Sequence, residues 1–97
     1  MNFTIVLKEE ALKEIQAAFE FYECKKAGLG IELEFEIIEQ IKTIESNPYL
    51  FEEKHAPYRE ARIKRFPYLL IYEIMDDEIV VYAVFHTSRS QEGKYKK

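Results

Sequence analysis

The amino-acid sequence predicts an α+β fold in the order β-α-α-β-β-β, a helical hairpin packed on a small antiparallel sheet. Three observations carry the prediction. Between residues 8 and 46, apolar side chains recur at three- and four-residue steps in two successive stretches, the period of an amphipathic helix. Gly28 and Gly30 separate the two stretches. From residue 58 onward the period changes, and short runs rich in β-branched and aromatic residues are divided by Pro67 and by Asp76-Asp77, the punctuation of strands and turns. The 97 residues make room for one domain spanning 1–97. At 47% hydrophobic and 33% charged, with 3 Gly and 3 Pro, the chain reads as an ordinary globular sequence.

Each element has its own signal. Residues 3–7 (Phe3, Thr4, Ile5, Val6, Leu7) form a short apolar and β-branched run, the first strand. Over residues 8–26, Ala11, Leu12, Ile15, Ala18, Phe19 and Tyr22 fall on one helical stripe. Glu9 and Glu10 open that helix and Lys25 and Lys26 close it, the charge order the helix dipole favours. Gly28 and Gly30 end it and permit the reversal. The second helix covers residues 31–46, with Ile31, Phe35, Ile38 and Ile41 as its core face, widened by Ile37 and Ile44. Asn47-Pro48 stops it, because proline lacks an N–H and restricts the residue before it. Residues 58–66 alternate, with Ala61 and Ile63 on one face and Glu60, Arg62 and Lys64 on the other. Residues 68–75 and 78–87 form the last two strands. The second of these is apolar on both faces, as an interior strand is. Residues 90–97 are polar and basic, a flexible tail that becomes ordered on a partner.

Several classes of protein are excluded or disfavoured. Cys24 is the only cysteine, so no intrachain disulfide forms. The two histidines, His55 and His86, lie far apart in sequence, and no metal-ligand spacing accompanies them. No cofactor is expected. The N-terminal residues lack the basic leader and long apolar stretch of a signal peptide, and the longest uncharged apolar run, residues 66–72, is far too short to span a bilayer. A soluble cytoplasmic protein is the expectation.

The formal charge of −4 argues at first against a polyanionic partner, but its distribution is uneven. Residues 1–57 hold 6 basic and 12 acidic side chains, and residues 58–97 hold 8 basic and 6 acidic. Arg59, Arg62, Lys64 and Arg65 gather on one strand with only Glu60 among them, and Arg89, Lys94, Lys96 and Lys97 gather near the C-terminus. Such a dipole steers an acidic partner to one side. The plainer reading of residues 59–65 is an edge strand whose charges prevent aggregation. His86, at a strand end, is explained more plainly by a hydrogen bond to a neighbouring hydroxyl or to backbone than by catalysis. His55 sits in a charged loop, and Cys24 reads as a small boundary residue.

The stretch Lys64-Arg65-Phe66-Pro67-Tyr68, the acidic turn Asp76-Asp77 and the closing His86-x-Ser88-Arg89 resemble the RelE/ParE superfamily of bacterial toxins, the toxin halves of type II toxin–antitoxin modules. The helical half, Ala11 through Tyr22, then Gly28-Leu29-Gly30, then Phe35 through Asn47-Pro48, fits the same pattern, so the resemblance covers nearly the whole chain. It implies two alternative activities. RelE-like members cut mRNA on the ribosome with a basic cluster and a C-terminal tyrosine; ParE-like members poison DNA gyrase. By analogy Arg62 stands at a strand lysine of the nuclease set, Arg89 at its last-strand arginine and Tyr95 at its terminal tyrosine. Glu60 and Leu69 replace a second lysine and a catalytic arginine.

Cutting RNA through its 2′-hydroxyl needs a base, an acid and cations on the phosphate. Glu60 repels that phosphate and Leu69 brings no charge, so the ParE-like reading fits better. A nuclease reading rests on Arg62, Lys64, His86 and Arg89 as its catalytic set. A gyrase-binding reading rests on Arg59, Arg62, Arg65, Arg89 and Tyr95 as the target surface. A third reading is a degenerate toxin that persists only as a binding partner. In each, the resemblance implies a cognate antitoxin that lays an amphipathic segment on apolar surface of the hairpin and sheet. The acidity of the helices predicts a mostly apolar contact there, with Lys or Arg at its rim. The remaining partners follow from the activity: DNA gyrase in the ParE-like case, the ribosome and mRNA in the RelE-like case.

Overall fold

The computed structural model describes residues 2–88. Seven elements follow in order: β1 (Thr4–Leu7), α1 (Glu9–Lys25), α2 (Leu29–Ser46), β2 (Glu53–His55), β3 (Tyr58–Arg62), β4 (Tyr68–Met75) and β5 (Glu78–His86). The five strands form one sheet in the order β1-β5-β4-β3-β2. The α+β architecture is the one expected, with two refinements. β1 runs parallel to β5, Thr4 opposite Glu78 through Leu7 opposite Val81, so the sheet is mixed. The three-residue β2, too short and too charged to register as a strand in sequence, pairs with β3 and becomes the edge. The basic strand β3 is therefore flanked on both sides and is not the edge.

The helical hairpin is built around Glu23. Its carboxylate accepts the backbone N–H groups of Gly28 at 2.7 Å and Gly30 at 2.8 Å, taking up free donors where α2 begins. Gly28 adopts the left-handed conformation (φ 90°), which costs a glycine little. Gly30 does not end a helix, as the sequence suggested, but lies within the first turn of α2. A Cβ there would stand 2.5 Å from the Phe19 carbonyl oxygen and 2.9 Å from the Glu23 carboxylate. The residue is glycine because two helices approach closely at that point.

Packing of α2 departs from the expectation in a way that matters for function. Its buried residues are Gly30, Leu33, Ile37 and Ile44, with Ile41 partly buried beside them. Ile31, Phe35 and Ile38, expected in the core, are 60%, 58% and 50% exposed. α2 carries two apolar stripes, and the sheet accepts the one containing Leu33. On α1, Ala11 and Ala18 are buried and Ile15 and Tyr22 pack against the core, whereas Leu12 lies largely outside it.

Beneath the helices the core is formed by Ala61 of β3, Leu70 and Tyr72 of β4, and Ile79, Val81 and Val84 of β5. The Tyr72 hydroxyl donates to the Pro48 carbonyl at 2.7 Å, anchoring the chain as it leaves α2. β5 lies between β1 and β4 and is buried along most of its length, as its two-faced apolarity predicts. Its pairing with β4 shifts between Ile71 and Tyr72, which face Ala83 and Val81; Tyr82 is the extra residue of a bulge. Leu69, Ile71, Ala83 and Phe85 alternate with the core residues and are also buried. β3 ends at Arg62, short of the expected residue 66. Ile63 N–H then bonds the Tyr68 carbonyl, and Arg65 takes a positive φ of 71° within a tight reversal.

Candidate functional site

The basic cluster of residues 59–65 is divided by the alternation of β3 and by the reversal after it. Arg59 shares the core-side register with Tyr72. Its guanidinium donates to the Phe51 carbonyl at 2.6 Å, lies 3.9 Å from the Glu53 carboxylate and stacks over the Tyr49 ring at 5.3 Å. With its side chain only 16% exposed, it fastens the segment between α2 and β2. Arg65 folds back onto α2, donating to Glu32 at 2.6 Å and lying 3.6 Å from Glu36. Its left-handed backbone aims the side chain at the helix. The hydrogen bond from Arg65 holds the Glu32 carboxyl below its ordinary 4.5, and the same bond raises the guanidinium above its usual value.

Arg62 and Lys64 remain, and both are exposed. Arg62 stands opposite Leu69 in the β3–β4 register, and Leu69 stands opposite Phe85; this row faces away from the helices, alternating with Ala61 and Leu70. Only the Arg62 backbone reaches α2, its carbonyl accepting from Gln40 Nε2 at 2.5 Å. Lys64 is on the helix side, at the edge of a groove of about 350 Å³ lined by Phe35, Glu36, Glu39, Gln40 and Thr43. Among the described residues no ion pair engages either cation. Glu60 shares its row with Ile71, next to Arg62 on the same face.

His86 lies elsewhere again. It faces Tyr68 in the register, ring against ring at 5.0 Å in an edge-to-face arrangement. Together they border a second groove of about 410 Å³ whose other walls are Glu14, Ala17, Ala18 and Phe21 of α1, with Ser88 at the mouth. Ser88 N–H donates to His86 Nδ1 at 3.2 Å, and the Ser88 hydroxyl lies 2.7 Å from the same nitrogen. This is the hydroxyl-and-backbone contact that the sequence offered as the plainer explanation of His86.

The three described members of the nuclease set are thus not brought together: Arg62 is on the face away from the helices, Lys64 beside α2, and His86 between α1 and the end of β5. Arg89, named for both target binding and chemistry, and Tyr95, named for target binding, lie outside the described residues, as does the tail of residues 90–97. Sequence reasoning missed Glu14, whose carboxylate accepts the Val84 N–H at 2.8 Å from 70 positions away. It takes that donor where β1, which ends at Leu7, no longer pairs with β5. No local pattern announces such a contact. Among the described residues, no three His, Cys, Asp or Glu side chains gather as a metal site, and no helix is long and apolar enough to cross a membrane.

This arrangement of a hairpin on a five-stranded mixed sheet is the fold of RelE/ParE toxins. The chain superposes on a chain from the chromosomal ParDE toxin–antitoxin system of P. aeruginosa with a TM-score of 0.79 at 13% identity, covering 89% of this chain and 97% of that one. It also matches the isolated RelE toxin of E. coli (TM-score 0.56, 16% identity, 95% of this chain and 92% of that one). A third match is a chain of the archaeal RelE–RelB complex from Pyrococcus horikoshii OT3 (TM-score 0.58, 14% identity, 93% and 100%). The family model for the ParE toxin of the type II toxin–antitoxin system parDE matches residues 5–91, and the chain belongs to that family. No curated protein sequence matches it.

Proposed function

We propose that the chain inhibits growth by binding and poisoning DNA gyrase, without nuclease chemistry of its own, and that a cognate antitoxin neutralises it. One observation carries the choice between the two activities of the superfamily: the described residues of the RNA-cleaving set are dispersed. Cleavage demands a base, an acid and phosphate-binding cations within hydrogen-bond reach of one phosphodiester. Here Arg62 and His86 belong to opposite faces of the sheet, Arg65 and Arg59 are committed to carboxylates and carbonyls, and Glu60 stands beside Arg62. A protein target makes no such demand, because separated charged and apolar patches each contribute to an interface.

The antitoxin follows from membership of a toxin–antitoxin family and from the matched structures, which include a RelE–RelB complex. The protein acts in the cytoplasm, where gyrase and its DNA are. Arg89 belongs to the target-binding surface, with Arg62 and the tail residue Tyr95; Arg89→Ala abolishes toxicity on this reading, and full toxicity of that variant removes it from the surface. The direct test is inducible expression of the chain in bacteria without an antitoxin. Double-strand DNA breaks and an SOS response, with mRNA intact on ribosomes, are expected. Cleavage of mRNA within codons, without DNA breaks, overturns the reading in favour of the RelE-like alternative, and an absence of any growth defect favours the degenerate toxin.

A further inference from the structure

The sheet has a second apolar face that the helices do not reach. Leu69, Ile71, Ala83 and Phe85 alternate with the core residues and point away from α1 and α2, yet they are only 7%, 0%, 3% and 6% exposed. An antiparallel sheet with one open face carries polar residues there, and neighbours in the same layer shield only the flanks of a side chain. Within this layer the Tyr58 and Tyr82 rings meet edge to face at 5.6 Å, and the Tyr82 hydroxyl donates to Glu73 at 2.8 Å, which closes one end of the face. Leu69 and Phe85 stand at the other end, in the row of Arg62, itself exposed. The helices pack on the opposite face and all five strands belong to the one sheet, so residues 2–88 place no element over this row. The burial is a property of the single chain, so the cover is part of the chain. Its N-terminal end is at the wrong place: Thr4 N–H bonds the Asp77 carbonyl at 2.9 Å, beside the turn that opens β5. Ser88 leaves the sheet at the Tyr68–His86 end, next to Leu69 and Phe85, and residues 89–97 follow it. Nine residues reach about 30 Å when extended, against about 10 Å from β5 across β4 to β3.

We propose that residues 89–97 fold back over this face as its cover, with the Tyr95 ring on Ile71 and Phe85. Tyr95 is the only side chain of that segment with a large apolar body. In an extended run Lys94 and Lys96 point opposite to Tyr95, so their ammonium groups stay in water at the rim, where Glu60 and Glu73 supply the opposite charge. A partner protein is the poorer occupant, because the row is buried without one. The inference deepens the gyrase reading and rests on it only for what the surface is for. The fold-back carries Arg89 and Tyr95 to the face that bears Arg62, which joins the three residues of the target surface and makes the tail one wall of it.

The chain has no Trp, so Tyr95→Trp introduces a single fluorophore. In the folded variant its emission is expected to the blue of that in urea, with weak quenching by acrylamide. Adding Lys94→Glu, Lys96→Glu and Lys97→Glu should shift the emission to the red and restore quenching with an unchanged circular dichroism spectrum, because the tail then repels Glu60 and Glu73. In the unaltered chain, nuclear Overhauser contacts should join the Tyr95 ring to the Ile71 methyls and the Phe85 ring. Solvent-like emission from folded Tyr95→Trp, blue emission that the three Glu changes leave unmoved, or Overhauser contacts from Tyr95 to the helical hairpin instead of the sheet overturns the proposal. So do contacts found only between labelled and unlabelled chains in a mixed sample, which assign the cover to a second copy. The gyrase reading is scored separately by the expression assay: a docked tail in a chain that causes no DNA breaks loses that reading alone, and a free tail in a chain that causes them loses only the fold-back.

Discussion

Arg59 and Arg65 illustrate how little a cluster of like charges in sequence says about a surface. Within seven positions the chain places four cations, and the fold engages two of them with its own groups. Arg59 satisfies a carbonyl and a ring in the segment before β2, and Arg65 pairs with two carboxylates of α2. Arg59→Ala is expected to lower stability by about 1.5–3 kcal/mol, the range for a hydrogen bond to a charged group, read as a lower urea midpoint. The Arg65–Glu32 contact has a signature in titration. Because Arg65 depresses the Glu32 carboxyl, the contact is complete above the ordinary carboxylate value of 4.5 and is lost as the pH falls through the depressed one. NMR titration of Glu32 should give a midpoint below 4.5, and Arg65→Ala should return it upward. A midpoint in the intact protein at or above 4.5 contradicts the contact. Tyr72 behaves in the opposite sense: burial pushes its hydroxyl up to about 12, so the folded state loses stability as the pH rises from 10 toward that value. Tyr72→Phe should remove this alkaline dependence at a cost of about 1 kcal/mol near neutrality, from the lost bond to Pro48.

At the level of elements, the hairpin turn is the most sharply determined feature. Gly30→Ala must displace either the Phe19 carbonyl or the Glu23 side chain that caps α2, and a loss of about 1–3 kcal/mol is expected from overpacking at this site, measured by thermal or urea unfolding. An unchanged stability would mean the helices do not meet so closely. Most elements were legible because their periods are unambiguous: α1, β4 and β5 fall within a residue or two of where the sequence puts them. What was not legible has physical causes. Two apolar stripes on α2 satisfy the same helical period, and only the shape of the sheet beneath decides that Leu33, Ile37 and Ile44 go inward while Ile31, Phe35 and Ile38 stay outside. β2 has no apolar residue to signal it, and exists because β3 offers it a pairing edge. The parallel β1–β5 pairing depends on residues more than 70 positions apart, which no local pattern encodes. In the site, the side of the sheet taken by Arg62 was legible from alternation alone, whereas the burial of Arg59 and the surface pairing of Arg65 with α2 depend on partners in other elements.

Across the whole molecule, the charge of −4 resolves into acidic helices and a sheet side on which Arg62 remains exposed and unpaired among the described residues. Arg62 and the exposed stripe of α2 belong to different sides of the molecule, since Arg62 faces away from the helices. Arg62→Ala is expected to reduce toxicity without changing the urea midpoint; equal toxicity of that variant would remove Arg62 from the target surface. The central claim, that this member of the ParE toxin family acts by binding gyrase, is tested most directly with purified components. Gyrase, supercoiled plasmid, ATP and the chain are incubated together, the reaction is stopped with detergent and protease, and linear DNA is measured. The account predicts linear plasmid that increases with the concentration of the chain. Plasmid left uncut, while the same preparation cleaves mRNA on translating ribosomes, would contradict it.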